Sequence, residues 1–235
     1  MNRCAVAFVA VLGISPAPAA FAESEPQPRE PGIESKGYVW DAFRPEEREA
    51  MRAKGDSARG AIAFEVCQGC HRFGAQGRAD GSYPRLAGQH DSVLIKQMSD
   101  IRAGRRDNPK MYPFVDKHVI ESPQQMADIA AYLQGLPSPP DNGRGPGSAI
   151  DRGRQLYEED CTRCHGDQGE GNRDRLYPRV SSQHYNYLLR QMVQIRDGIR
   201  RNANPKMVKV IKPYSDQDLD AVADYMSRLG GKTAP

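Results

Sequence analysis

The sequence predicts an all-α protein built as two copies of one small module, on three observations. Its cysteines include two CxxCH motifs, the residues around those motifs repeat at a nearly constant offset, and no stretch shows the apolar alternation of a strand. With 38% hydrophobic and only 7% aromatic residues, the 235-residue chain has little bulky apolar material for cores made of protein alone. Its 33 basic and 30 acidic side chains leave a formal charge of +3. That balance gives no sign of a nucleic-acid partner, which would need a marked basic excess.

The first element is a leader. Arg3 precedes an apolar run from Ala5 to Ile14, and Ala20-Phe21-Ala22 has the small-x-small form of a cleavage site. Residues 1–22 read as a secretory signal peptide, too short in its apolar part to span a bilayer. Cleavage before Glu23 removes Cys4, leaves no membrane anchor, and places the mature chain in the periplasm. Residues 23–54 follow as a polar N-terminal extension whose apolar cluster is Tyr38, Val39, Trp40 and Phe43. It reads as a mostly flexible tail, or, through its tryptophan, as an anchor on a module or on a partner protein.

The first module is expected over residues 55–137. Its opening helix, 58–66, with Asp56-Ser57 as cap, runs into Cys67-Gln68-Gly69-Cys70-His71. Two thiols three residues apart can add to the two vinyl groups of one porphyrin, and the next residue then lies under the iron. Cys67 and Cys70 therefore read as haem attachment points and His71 as an iron ligand. A lone CxxC also fits a zinc half-site or a redox dithiol. Two copies, each with its histidine, in an exported chain favour haem. A middle helix over 91–103 and a closing helix started by Ser122-Pro123 complete the module.

Residues 138–147, rich in proline and glycine, read as the linker. The second module, 148–235, repeats the order: an opening helix over 149–160 with Ser148 as cap, Cys161-Thr162-Arg163-Cys164-His165, a middle helix over 185–199, and a closing helix after Ser215. Tyr83-Pro84-Arg85, Gln89-His90, Gln97-Met98 and Ile101-Arg102 return 94 positions later as Tyr177-Pro178-Arg179, Gln183-His184, Gln191-Met192 and Ile195-Arg196. Asn108-Pro109-Lys110-Met111 matches Asn204-Pro205-Lys206-Met207 with two further residues, assigned to Ile199 and a position near Ala203. Gly60 and Phe64 match Gly153 and Tyr157 with a one-residue slip. The chain thus carries two covalently bound haem c groups, with Cys161, Cys164 and His165 at the second.

These features resemble class I cytochrome c in tandem, as in the two-domain dihaem cytochromes of the c-four family, over roughly residues 57–230. The resemblance implies that opening and closing helices cross near the haem, with Gly60/Phe64 and Gly153/Tyr157 meeting Tyr132 and Tyr225. It also implies that the carbonyls of Pro84 and Pro178 accept the axial histidine's ring N–H. It places the sixth ligands at Met111 and Met207, in loops after Asn-Pro-Lys. Met98, Met126, Met192 and Met226 keep core-facing helical spacing. His90 and His184 are the bis-histidine alternative and otherwise read as surface or propionate-side residues, and His118 as solvent-facing. Arg85 and Arg179 fit propionate partners or a solvated surface. Arg105-Arg106 and Arg200-Arg201 fit steering of an acidic partner or an ordinary charged face.

Histidine–methionine ligation leaves no open site, which suits electron transfer. The chain reads as a carrier of single electrons between redox proteins, with a membrane respiratory complex or dehydrogenase as donor and a terminal oxidase as acceptor. The alternative is a dihaem oxidoreductase, or the cytochrome subunit of one, with an open or labile iron position. The departures from the family are the long N-terminal extension and the charged, Pro/Gly-rich linker.

Overall fold

The computed structural model describes residues 26–138 and 141–230; the leader, Glu23 and Cys4 lie outside the described residues. Among the described residues there is no strand, only one isolated bridge between Asn172 and Tyr177. No described helix is long and apolar enough to cross a membrane.

In the first half, α1 (Pro45–Arg52) precedes α2 (Ser57–Ala63), and a 3-10 turn, Glu65–Cys67, leads into α3 (Gln68–His71). Then follow α4 (Asp91–Arg102), α5 (Tyr112–Val115) and α6 (Pro123–Gly135). The second half holds α7 (Ile150–Leu156), α8 (Thr162–His165), α9 (Tyr185–Arg196), α10 (Pro205–Ile211) and α11 (Asp216–Arg228). The helix starts are capped as their sequences demand. Asp56 accepts from the Ala58 and Arg59 amides, Ser122 from Gln125, and Ser215 forms a capping box with Asp218. Ser148 is not a cap: α7 starts after Ala149 without a side-chain bond. The middle helix α9 stops at Arg196, short of the expected 199, because Gly198 turns the chain with φ 75°.

Each module is organised by a helix crossing. A Cβ placed on Gly60 would lie 1.9 Å from the Asp128 carbonyl oxygen, and one on Gly153 would lie 2.1 Å from that of Ala221. Only glycine permits such close approach, and beside it the ring pairs Phe64–Tyr132 (5.8 Å) and Tyr157–Tyr225 (5.5 Å) seal each crossing. Met98 and Met126 are buried in one apolar cluster, Met192 and Met226 in the other.

The one-residue slip between the opening helices has a visible cause. In the second module Tyr157–Cys161 is π-helical, and the extra residue is taken up there before the cysteine. Left-handed backbone positions 72, 75, 77, 88 and 104 recur at 166, 169, 171, 182 and 198, all at the offset of 94. The Arg106 amide donates to the Asp100 carbonyl and the Arg200 amide to that of Gln194, again 94 apart. Ile199 is therefore the counterpart of Arg105, not an insertion, and both further residues fall between Arg201 and Asn204.

The extension is not a flexible tail where it is described. Its α1 packs on α4 and α6, with Glu47 and Ala50 buried. The reading as an anchor through tryptophan holds: Trp40 stacks on Tyr177 with ring centroids 6.3 Å apart and lies 5.4 Å from Lys96 Nζ. The linker is likewise tied down in its described part, since the Asn142 amide donates to the Gln183 and Ser227 carbonyls at 2.8 and 2.7 Å. Local sequence shows only that such segments lack helix periodicity. It does not show what their polar groups bind.

Glu47 is fully buried, and neither of its carboxylate oxygens has a hydrogen-bond partner among the described residues. Burial pushes its carboxyl up from 4.5 to about 7, with Asp100 adding to the rise while Lys96, Arg105 and Arg44 oppose it. A raised folded pKa stabilises the fold fully below 4.5 and loses that contribution as pH rises through 7. Glu47→Gln should match the parent's thermal stability at pH 4 and exceed it at pH 8 by about 3 kcal/mol. A constant difference across that range would show that the Glu47 carboxyl has the same pKa in the folded and unfolded chain.

Candidate haem sites

The two CxxCH segments form the short helices α3 and α8, each ending in a left-handed residue, Arg72 (φ 68°) and Gly166 (φ 78°). The chain then returns beneath the histidine. Gly77 N–H donates to the His71 carbonyl at 2.9 Å and Gly171 N–H to that of His165 at 2.8 Å. A Cβ on Gly77 would fall 2.5 Å from the Tyr83 oxygen, and one on Gly171 equally close to that of Tyr177. Both glycines let the Tyr-Pro-Arg loop pass directly under the ring.

That loop meets the imidazole. His71 Nδ1 lies 3.1 Å from the Pro84 carbonyl oxygen, and His165 Nδ1 lies 2.9 Å from that of Pro178. This is the one hydrogen bond of either ring among the described residues, and both rings are buried. Burial holds both imidazoles below the ordinary histidine range, against the opposing pull of the proline carbonyls. A neutral ring donating from Nδ1 presents Nε2 as a lone pair, the form that ligates a metal.

The four thiols are free. Burial, with Cys70 adding to it, pushes Cys67 up to about 11, and burial followed by Asp160 and Cys164 pushes Cys161 up to about 12. A reactive dithiol or a zinc site needs thiolates, which these surroundings oppose. A buried Cys161, half-buried Cys67, Cys70 and Cys164, and a buried histidine beside each pair fit haem attachment. Met111 and Met207 are partly buried against the two apolar clusters. Met111 sits at the cap of α5, outside regular helix. Met207 does not lie in a loop: Asn204 caps α10 and Pro205 opens it, so Met207 is in its first turn.

His90 and His184 are neither free surface residues nor positioned for iron. His90 Nε2 lies 2.8 Å from the Glu170 carbonyl oxygen of the other module. His184, buried, uses both nitrogens: Nε2 meets the Gln76 carbonyl oxygen at 2.7 Å, and Nδ1 accepts from Gly143 N–H at 3.1 Å. His118 is exposed. Arg85 is buried between the modules, donating to the Ser182 carbonyl and to Asp141, each at 2.9 Å. The half-buried Arg179 keeps a buried Nε without a partner among the described residues, so a propionate remains open to it.

The cytochrome c family profile matches residues 57–137 and again 150–230. The chain belongs to the cytochrome c family. It is 34% identical to cytochrome c4 of Azotobacter vinelandii over 75% of this chain and 90% of that one. The thiosulfate dehydrogenase electron acceptor of Stutzerimonas stutzeri is 32% identical over 72% of this chain and 82% of its own length. The crystal structure of reduced recombinant cytochrome c4 from Pseudomonas stutzeri superimposes with a TM-score of 0.67 at 29% identity, over 75% of this chain and all of that one. The chain is thus a dihaem, cytochrome c4-like electron-transfer protein, with one covalent haem c for each CxxCH motif.

The two sites are built into one interface with pseudo-twofold symmetry. Gln183 donates to the Arg85 carbonyl and accepts from the Arg85 N–H, both at 2.9 Å. Gln89 does the same to Arg179, at 3.0 and 2.9 Å. Arg85 and Arg179 directly follow the prolines that meet the histidines, so each module's glutamine fixes the loop under the other module's imidazole. Farther along, Arg106 and Arg200 each bridge the side-chain oxygens of Gln97 and Gln191 at 2.8–3.0 Å, closing a four-residue ring. Arg106, Arg200 and Arg201 are therefore interface residues, and Arg105 pairs with Glu30, rather than forming a steering face. Repetition of Gln89 and Gln183 was the sequence signal for this contact, but a repeat does not say which copy a residue serves.

Gln183→Ala leaves a buried N–H and a buried carbonyl without partners and should destabilise the holoprotein by about 3 kcal/mol. The cost of Gln89→Ala should be smaller, because its bonds are partly exposed. Calorimetry of both variants checks the order, and equal, negligible losses would contradict the clasp.

Proposed function

We propose that this protein is an exported carrier of single electrons, passing them between a periplasmic or membrane-bound dehydrogenase or cytochrome complex and a terminal acceptor, without substrate chemistry of its own. Haem c supplies the chemistry, a one-electron change between ferric and ferrous iron. The chain's part is to hold and insulate it. Cys67 and Cys70, with Cys161 and Cys164, anchor the two groups through thioethers. His71 and His165 offer Nε2, kept in the ligating tautomer by Pro84 and Pro178. Met111 and Met207 complete the coordination.

The observation that carries this reading is the duplicated buried imidazole with its Nδ1 held by a proline carbonyl. Such a fixed ring presents its Nε2 in one tautomer and orientation, and ligation by histidine and methionine together would leave no open position for substrate. Similarity to the thiosulfate dehydrogenase electron acceptor of Stutzerimonas stutzeri supports a dehydrogenase as the class of donor. The leader sequence supports export.

Met111→Ala or Met207→Ala should open one coordination position, lower that haem's potential and create binding of small external ligands that the parent lacks. Absorption spectra with and without an added ligand check this. Parent-like behaviour in both variants would overturn the ligand assignment, and rapid turnover of a small substrate by the parent would favour the oxidoreductase alternative.

The two sites have unlike surroundings. Exposed Ile62, Val66 and Phe73 flank the first motif, whereas exposed Asp160 and Asp167 stand at the positions equivalent to Val66 and Phe73 beside the second. Tyr83 lies edge-on to His71 at 6.1 Å, while its counterpart Tyr177 is stacked on Trp40. Carboxylates favour the more positive ferric state, so potentiometric titration should resolve two steps, the lower belonging to the second module. Asp160→Asn with Asp167→Asn should raise that lower step; a single unresolved step in the parent would contradict the inequality.

A further inference from the structure

Residues 26–44 precede everything the family profile matches, and the Pseudomonas stutzeri structure is fully covered by 75% of this chain. Yet this segment binds both modules. Gln27 donates to the Ile101 and Arg106 carbonyls at 2.7 and 2.9 Å and accepts from the Asn108 N–H at 3.0 Å. Glu30 N–H donates to the Ala103 carbonyl at 3.1 Å, and Arg44 joins Glu30 to the Ser99 carbonyl. Those contacts belong to the first module. On the second, Ile33 N–H donates to the Arg201 carbonyl at 2.8 Å.

Arg201 is where the three parts meet. Its buried guanidinium donates to Glu34 Oε1 at 2.8 Å, to the Glu30 carbonyl at 2.6 Å and, across the interface, to the Gly104 carbonyl at 2.7 Å. The segment is also polarised along its length. Asp107 and Arg201 occupy equivalent positions of the repeat with opposite charge, and the segment meets them with Arg29 and Glu34 respectively. The exposed Arg29–Asp107 pair contributes little energy, but the order of signs fixes which end lies on which module. Trp40 adds a second bridge, between Lys96 of the first module and Tyr177, the residue before Pro178, of the second.

From these contacts we infer that residues 26–44 are a strap that locks the two modules in one register, and that fast electron exchange between the two haems depends on it. The inference rests on the carrier reading above. In the exchange one ferrous haem is oxidised as the other, ferric, is reduced, with no bond or proton transferred. The strap acts only by position. Arg201 couples it to both modules, and Trp40 couples it to the loop beneath His165.

The test compares the full-length holoprotein with Glu34→Lys and with Trp40→Ala, neither of which touches a haem-binding residue. Small-angle X-ray scattering reads the register of the modules, and flash reduction reads exchange between the haems. Unchanged absorption spectra establish that each haem site is intact. The expected result is an expanded scattering profile and loss of the fast exchange phase in both variants. Parent-like scattering and exchange in both would overturn the strap. If the parent itself shows no exchange, the carrier reading fails, while the scattering comparison still decides whether the strap holds the modules together.

Discussion

The imidazole of each CxxCH motif is held by a proline carbonyl, and the peptide that follows each proline is gripped by a glutamine of the other module. That interaction joins the proposed ligand histidines to domain docking. A histidine Nδ1 that lost its carbonyl would be free to rotate or change tautomer, and a Pro-Arg loop that lost its glutamine would carry unpaired buried amide groups. Neither module can therefore relax its loop without disturbing the other. The glycines at 77 and 171, which bring the loop under the ring, belong to the same requirement.

The arrangement is a duplication that closes on itself. Equivalent residues make reciprocal bonds at Gln89 and Gln183, at His90 and His184, and at Arg106 and Arg200, as an isologous dimer would. Departures from the symmetry are local. A π turn absorbs one residue before Cys161, the loop ahead of Met207 becomes a capped helix, and Trp40 occupies only one of the two equivalent tyrosines. These departures give two haem sites of one design different surroundings, which a carrier needs if electrons are to favour one direction.

Motifs whose chemistry is local were legible in the sequence. The CxxCH pairs, the capped closing helices and the core methionines depend on near neighbours or on periodicity within one module, whereas the Gly60 and Gly153 crossings came from the resemblance to tandem cytochrome c. What the sequence hid depends on partners far away. His184 looked like a surface or propionate-side residue, yet its ring is buried against the Gln76 carbonyl of the other module. Arg106 and Arg200 looked like a charged face, yet both guanidinium groups turn into the interface to bridge Gln97 and Gln191, and burial beside Arg106 holds Arg200 down to about 10. The extension looked mobile because charge and proline dominate it, but Arg29, Glu30, Glu34 and Glu46 each meet an opposite charge on one of the modules. Composition records the polarity of such residues and not the group that satisfies it.

The central claim is that the two haem sites form one coupled unit, held by the interface and not merely tethered by the linker. The most direct measurement introduces a protease site into residues 138–147, cuts the holoprotein there, and follows both size and potentials. A coupled unit predicts that the cut protein elutes at the size of the intact chain and titrates with the same two potentials. Separation into two halves, each keeping the potential it had in the intact chain, would contradict the account.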